Sequence, residues 1–251
     1  MAKLIVLGSA SAVPSKDHEN THFVLKGEKS SVLVDCVGNP LIRLEDAGID
    51  LNTINDIILT HCHPDHISGI PSLLMSLWLM GRKTSLNVYG LHHTLDCVEK
   101  MMGLYEWGEW PDFFPVAFHR LPNQEMTLVL ENTEFRIYSS PVTHIVPTIG
   151  LRVEAVHTGK VMAYSCDTEP CPQVIRLGKG ADILIHEVTG KSYGHSSAAQ
   201  AGQVAQKARV KSLYFIHYSP DLFGSQDLID EAGKNFSGEI RFAEDFLTLE
   251  F

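Results

Sequence analysis

Short apolar runs alternate with polar turns along the first part of the chain, a pattern typical of β-strands. KLIVLG, THFVLK and SSVLVDC open the sequence, and the turn-like GEKS joins the last two runs. The following segment, NPLIRLEDAGI, has the helical spacing of Leu41, Leu44 and Ala47 and a stop at Gly48. It leads into the apolar strand INDIIL, so strands and helices are interleaved early in the chain.

The rest of the chain continues this interleaving. SGIPSLLMSLWLM predicts a helix, LNVYG a strand and LHHTLDCVEKMMG another helix. Residues 115–165 are mostly strand-like, and the later segments DILIH, SSAAQAGQVAQKA, SLYFIH and GEIRFAEDFLTLEF alternate strand and helix. Two β-rich blocks, each followed by helices, predict an α/β (α+β) fold: a four-layer α/β/β/α sandwich with two facing sheets and helices outside.

The composition of the chain bears on its domain organisation and on its cellular location. No low-complexity tract, long charge run or short repeat marks a linker, so we expect one domain over residues 1–251. LIVL is too short for a secretory signal, and IPSLLMSLWLM is shorter than the ~18 residues of a membrane span. The five cysteines are scattered and never spaced as CxxC, which favours free thiols and a cytoplasmic location.

A histidine-rich cluster, HCHPDH, follows the apolar strand that ends in IIL. His61 and His63 lie two apart in backbone that should be extended, so their imidazoles leave on the same side. Asp65 and His66 follow at a turn where Pro64 fixes a backbone angle, and we expect a helix to begin near Ser68. The four ligand-type side chains can therefore converge at the C-terminal end of the strand, where open α/β sheets place their sites.

The residue types of this cluster suit a metal centre. Imidazole and carboxylate groups bind Zn²⁺, Mn²⁺ or Fe²⁺. A hydrated polar loop is the alternative interpretation. Because the cluster supplies only two incomplete ligand sets, the metal hypothesis predicts further His and Asp residues downstream, and the sequence has them.

The segment THCHPDH resembles the HxHxDH signature of the metallo-β-lactamase fold superfamily. LGSASAVPS, VLVDC, SPVTHIVPTIGLR, YSCDTEP, IHEVTGKSYGHSS and FIHYSP resemble segments of ribonuclease Z and its relatives, in the same order along nearly the whole chain. The resemblance implies the four-layer sandwich of that superfamily and two divalent metal ions, with zinc the first expectation and manganese or iron the alternatives.

The resemblance also implies a set of ligands. One metal ion would be bound by His61, His63 and His144, and a second by Asp65, His66 and His217, with Asp167 bridging the two. The three later positions have local support as well, because each lies at or just beyond the end of a predicted strand, where functional residues concentrate.

Three residues are the expected catalytic groups by the same resemblance. Asp65 would orient the attacking water and accept its proton, His195 would face the scissile phosphate, and Glu187 would orient His195. A structural interpretation remains open: Ser196 or Ser197 is a good N-cap for the following helix, and Glu187 can simply end a strand.

The resemblance makes phosphodiester cleavage the expected activity, since ribonuclease Z cuts the 3′ trailer from precursor transfer RNA. Three departures weaken the transfer-RNA part. Only 22 residues separate His144 from Asp167, too few for a transfer-RNA-binding arm, and the segment between Glu187 and His195 is short. The net charge of −10 also opposes wide contact with nucleic acid. We therefore expect an RNA end or a small nucleotide diester as substrate, and a homodimer.

Other functions are weighed against this one. Lactone and sulfate hydrolysis use the same kind of scaffold, and a non-catalytic binding relative should have lost ligands that this chain retains. GKSYG at 190–194 matches the GxSxG serine-hydrolase pattern, but no acid followed by a histidine comes after it in the required order. The aromatic, acidic stretch 105–114 could shape a substrate mouth, form a dimer contact or pack on the core.

Overall fold

The computed structural model describes residues 2–251 and contains fourteen strands in two seven-stranded sheets. The strands are β1 (Lys3–Gly8), β2 (His22–Lys26), β3 (Ser31–Val34), β4 (Ile54–Ile58), β5 (Leu86–Leu91), β6 (Val116–Leu121), β7 (Thr127–Glu131), β8 (Phe135–Val142), β9 (Thr148–Ala155), β10 (Val161–Tyr164), β11 (Ile183–Glu187), β12 (Ser212–Ile216), β13 (Glu239–Phe242) and β14 (Thr248–Glu250). The α-helices are α1 (Pro40–Asp46), α2 (Pro64–Ile67), α3 (Ile70–Leu79), α4 (His92–Gly103), α5 (Pro172–Leu177), α6 (Ala198–Ala208) and α7 (Gln226–Gly233).

The two sheets have the same plan. The first has the order β14-β1-β2-β3-β4-β5-β6 and the second β13-β12-β11-β10-β9-β8-β7. In each, three antiparallel pairings are followed by three parallel ones: β3 to β6 in the first sheet and β10 to β13 in the second. Helices connect successive parallel strands, since a parallel pair cannot be closed by a short hairpin. Each sheet therefore presents several carboxyl strand ends at one edge.

Three apolar cores separate the layers. The largest lies between the sheets and includes Phe23, Ile58, Tyr164 and Ile185. A second core joins the first sheet to α1, α3 and α4, and a third joins the second sheet to α5, α6 and α7. The layers are thus helix, sheet, sheet and helix, and the predicted α/β/β/α sandwich is confirmed.

A short helix that the sequence analysis did not predict precedes the helix expected to begin near Ser68. The expected helix is α3, which begins at Ile70, whereas α2 begins at Pro64 and has Ser68 as its C-terminal cap. Proline suits the first helical position because its φ is already helical and that position needs no N–H partner. The carbonyl of His63 accepts from the backbone N–H groups of His66 (3.0 Å) and Ile67 (3.2 Å), so the first helical turn begins immediately after His63.

The structure also shows where the aromatic, acidic stretch lies. Residues 105–114 lie on the outer core of the first sheet, where the Trp110 ring stacks on Trp78 at 5.0 Å between centroids and Phe114 is buried. Of the three interpretations, the structure therefore supports packing on the core.

No helix among residues 2–251 is long and apolar enough to cross a membrane.

Candidate metal centre

The candidate site lies where parallel strands of both sheets end. Three residues just beyond strands β3, β10 and β12 have left-handed backbone without being glycine: Asp35 (φ 59°), Cys166 (φ 54°) and His217 (φ 54°). Such a conformation costs on the order of 1 kcal/mol for an ordinary residue and tends to persist where the surroundings enforce it. Here it turns the chain at the strand ends, where Asp35 contacts Nδ1 of His66 (2.8 Å) and Asp167, which follows Cys166, lies 3.3 Å from Nε2 of His217.

The first ligand group consists of three imidazoles. Nε2 of His61 lies 3.1 Å from Nδ1 of His63, and Nε2 of His144 lies 3.2 Å from the same atom. Zinc–nitrogen bonds of 2.0–2.1 Å in a tetrahedral arrangement put ligand nitrogens roughly 3.3 Å apart. The spacing of the three nitrogens therefore fits one shared metal ion.

Hydrogen bonds to the Nδ1 atoms of His144 and His61 determine which ring nitrogens carry protons. Nδ1 of His144 donates to the carbonyl of Gly194 (2.7 Å), which leaves Nε2 with a lone pair in the neutral ring. Nδ1 of His61 donates to the hydroxyl of Thr60 (3.1 Å), which itself donates to Asp35 (2.8 Å). Two lone pairs thus face Nδ1 of His63, an arrangement that a cation satisfies.

Burial keeps these imidazoles in the form that binds metal. It lowers the pKa of His61, His63 and His144, most strongly for His61, and the charge of a neighbouring imidazole lowers each pKa further: chiefly that of His66 for His61, of His144 for His63 and of His195 for His144. Neutral imidazole is the ligand form, so the ring nitrogens are ready to coordinate without losing a proton.

The second group combines a carboxylate with two imidazoles. Oδ2 of Asp65 lies 3.4 Å from Nε2 of His217 and 3.7 Å from Nε2 of His66. The Nδ1 atoms point away: that of His217 donates to Thr189 (2.8 Å) and that of His66 to Asp35 (2.8 Å). Nε2 of His66 is buried and has no hydrogen-bond partner among the described residues, as expected of an atom placed for a metal ion.

Asp167 lies between the two groups. Its Oδ2 is 3.3 Å from Nε2 of His217, 3.6 Å from that of His66, and 3.9 Å from those of His61 and His144. Burial alone would raise the pKa of Asp167, but the charges of His217 and His66 lower it well below its usual value. One ionised carboxylate therefore contacts both groups, and the donor set fits two divalent cations that share this residue.

A histidine–glutamate pair adjoins the cluster. Nδ1 of His195 donates to Glu187 at 3.0 Å, and the backbone N–H groups of Thr168 (3.1 Å), Thr189 (2.8 Å) and Ser196 (3.1 Å) donate to the same buried carboxylate. Burial would lower the pKa of His195, but its hydrogen bond to Glu187 and the charge of that carboxylate outweigh this and raise it. Glu187 therefore both ends β11 and orients His195.

The loop carrying His195 is held tightly against the cluster. Gly194 has φ 79°, its N–H donates to Glu169 (2.9 Å), and a Cβ there would collide with His144 and Ile145. Only glycine suits this position. Tyr193, which precedes it, is 78% exposed.

The structure brings all the sequence-predicted site residues into one cluster. The metal-type side chains form the groups just described: His61, His63, Asp65, His66, His144, Asp167 and His217. Asp35, Thr60 and Thr189, which orient the imidazoles from behind, were not singled out from the sequence. The signal for Asp35 was present in VLVDC, where a carboxylate directly follows a buried strand.

Comparison with known proteins agrees with the fold and the cluster. Residues 30–218 match the family model described as a beta-lactamase superfamily domain. The ribonuclease Z of Methanothermobacter thermautotrophicus is 28% identical over 307 aligned residues, covering 100% of this chain and 97% of the relative. The metallo-beta-lactamase fold protein YhfI from Bacillus subtilis superposes with a TM-score of 0.84 at 23% identity, covering 100% of this chain and 99% of that one. Human tRNase Z, short form, gives 0.79 at 24% identity, covering 99% and 98%.

The fold and the clustered imidazoles and carboxylates define a metal-dependent hydrolase of the metallo-β-lactamase type. The chain belongs to the beta-lactamase superfamily. The similarity to ribonuclease Z that the sequence motifs indicated is confirmed by these relatives. The fold implies binding of divalent metal, as expected.

Proposed function

We propose that this protein is a dinuclear metal-dependent phosphodiesterase similar to ribonuclease Z, acting on an RNA end or a small nucleotide diester. The observation that carries the proposal is the meeting of two ligand groups at one oxygen of Asp167, with His195 beside them. The first group would bind one metal ion and the second group another, with Asp167 as the bridge.

The chemistry divides between the metal ions and the chain. Two divalent cations in this position would lower the pKa of a water molecule and neutralise charge on a phosphoryl oxygen. Asp65 would orient that water and accept its proton: burial would raise its pKa, but the hydrogen bond with His217 and the charge of His66 lower it, so it is ionised. His195, with Nδ1 fixed by Glu187, would give a proton to the leaving oxygen from Nε2.

Zinc is the proposed metal. Five imidazoles and two carboxylates form a donor set of borderline character, which suits zinc and accommodates manganese or iron. Elemental analysis of tag-free protein, purified without chelator, tests this: we expect at least two equivalents of zinc per chain, and protein that never takes up divalent metal would contradict the proposal.

The substrate proposal depends on what the chain lacks. β9 and β10, between His144 and Asp167, are joined directly by residues 156–160. The alignment with the ribonuclease Z runs over 307 positions although this chain has 251 residues, so that relative carries segments that this chain lacks. We infer a single domain over residues 1–251 without a transfer-RNA-binding arm, which favours a small nucleotide diester or an RNA end.

The test compares kcat/KM for a precursor transfer RNA and for bis(p-nitrophenyl) phosphate on protein reconstituted with zinc or manganese. We expect turnover of the small diester and weak preference for the RNA. A strong preference for the RNA would contradict the inference from the missing segments and indicate another RNA-binding surface. Turnover of neither would contradict the phosphodiesterase and leave lactones and sulfates to be assayed.

We also propose a cellular location and an oligomeric state for this protein. All five cysteines are free thiols, which suits a reducing compartment, and we propose the cytoplasm. A homodimer is proposed from the resemblance to ribonuclease Z. Light scattering on purified protein tests it, and a monomer at micromolar concentration would contradict it.

A further inference from the structure

A second cluster of metal-type side chains lies outside the dinuclear centre. Cys62, His93 and Cys97 each offer one ligand atom, and these atoms all lie within 4.8 Å of one another. His93 and Cys97 are four residues apart in α4, so they lie on one face of the helix a single turn apart. Cys62 reaches this face from the loop after β4.

Cys62 is separated from the dinuclear centre although it stands between two of its residues. Side chains alternate in extended backbone, so Cys62 points away from the side to which His61 and His63 point. Accordingly, Cys62 and Cys97 pack against the core between the first sheet and its helices, whereas His61 and His63 face Asp167 and His144. The cluster is half-buried at the sulfurs and open to solvent at His93.

The other three cysteines lie in different surroundings. Cys166 lies 3.6 Å from Nδ1 of His61 and belongs to the centre already described. Cys36 and Cys171 are buried, whereas Cys62 and Cys97 are half-buried and lie close to the exposed His93.

We propose that Cys62, His93 and Cys97 form a separate site for a thiophilic d¹⁰ metal ion, Zn²⁺ or Cu⁺. Thiolate sulfur selects such ions over the harder cations that carboxylates prefer, and imidazole suits both. Two sulfurs and one nitrogen with an open side give Zn²⁺ a tetrahedral shell completed by water, or Cu⁺ a three-coordinate one. An ion bound here would tie α4 to the peptide that carries His61 and His63.

Cobalt substitution tests the proposal without any activity assay. Co²⁺ bound by thiolate absorbs in the near ultraviolet through sulfur-to-metal charge transfer, whereas imidazole and carboxylate ligands give no such band. We expect the band in tag-free, reduced wild-type protein loaded with Co²⁺. In Cys97→Ser we expect it to be lost, together with one equivalent of bound metal, and in the control Cys171→Ser, which removes a buried thiol, to be retained.

Two further variants keep the result unambiguous. His93 is exposed, so His93→Ala should fold normally and weaken Co²⁺ binding at this site by at least tenfold. Cys166→Ser should keep the band, which shows that it does not arise at the dinuclear centre. Absence of the band in reduced wild-type protein, or its persistence in Cys97→Ser, would overturn the proposal. Competition of Co²⁺ with Zn²⁺ and with Cu⁺ under reductant then identifies which ion the site prefers.

Discussion

At the scale of single residues, the centre depends on side chains that do not themselves face the metal positions. Asp35 accepts from His66 directly and from Thr60 at both carboxylate oxygens, so one buried carboxylate orients two imidazoles. Thr189 plays the corresponding part for His217: its hydroxyl accepts from Nδ1 and donates to the backbone carbonyl of the same residue. Such partners fix the ring orientation and leave Nε2 for coordination.

Replacing Asp35 tests this dependence. Asp35→Asn keeps the size of the side chain but removes one acceptor, so His66 or Thr60 loses its partner. We expect metal affinity to fall about 10–100-fold, as is usual when an outer partner of a ligand is lost. Competition with a fluorescent chelator measures it. Asp56→Asn, a buried carboxylate that contacts Asn87 and Tyr89 instead, is the control and should leave metal affinity unchanged.

His195 and Asp65 should separate catalysis from metal binding. His195→Ala should lower kcat about 10²–10⁴-fold, the usual contribution of a general acid, with metal content intact. Asp65→Ala should lower both kcat and metal content, because its carboxylate belongs to the second ligand group. Elemental analysis alongside kinetics distinguishes them, and equal metal loss in the two variants would argue against this division.

At the scale of secondary structure elements, a capping residue lies next to the loop that carries His195. Ser197 accepts from the backbone N–H of Gln200, and the side chain of Gln200 accepts from the backbone N–H of Ser197, which forms a complete capping box for α6. The sequence left open whether this segment is structural or catalytic. The structure shows the helix cap at Ser197 and, two residues earlier, the hydrogen bond of His195 to Glu187, whereas the catalytic role of His195 stays a prediction.

Ser197→Ala should therefore destabilise the protein without changing the centre. We expect about 1 kcal/mol, a decrease in Tm of about 2–4 °C for a chain of this size. Ser225 also precedes a helix, α7, but its side chain makes no capping hydrogen bond, so Ser225→Ala should shift Tm much less. Thermal unfolding of both metal-loaded variants makes the comparison. Equal shifts would mean that the capping box contributes nothing measurable.

Elements with strong hydrophobic periodicity were predicted from the sequence, and elements with weak periodicity were missed. α6 has six buried residues on one face and was predicted, whereas α7 buries only Ala232 and α5 has six residues in all, too few for a clear pattern. GEIRFAEDFLTLEF was treated as one stretch, yet its strands β13 and β14 belong to different sheets, because pairing depends on contacts far away in the chain. The ligand residues were predicted from the order of the motifs along the chain. Their hydrogen-bond partners Thr60 and Thr189 were not predicted, because no local sequence pattern shows the distances between these side chains.

At the scale of the whole molecule, each ligand group draws on both sheets. His61, His63, Asp65 and His66 follow β4 of the first sheet, whereas the remaining members, His144, Asp167 and His217, follow β8, β10 and β12 of the second. Metal ions bound here would therefore hold the two sheets together across the inner core, in addition to the apolar contacts between them.

Removing metal should accordingly lower global stability. A ligand that binds only the folded state stabilises it by about 2.7 kcal/mol at a free concentration 100-fold above its Kd, which corresponds to several degrees in Tm. We expect EDTA-treated protein to unfold at lower temperature and zinc to restore the original Tm. A Tm that is the same with and without metal would show that the centre does not hold the sheets together.

The distribution of ligands between the two sheets also sets an order of events during synthesis. The ribosome makes the histidine cluster after β4 early, but the second ligand group is incomplete until His217 has emerged beyond β12. β14, which pairs with β1 at the edge of the first sheet, is made last of all. Complete metal loading would thus be a late step in biogenesis, because a nascent chain that ends before His217 lacks one ligand of the second group.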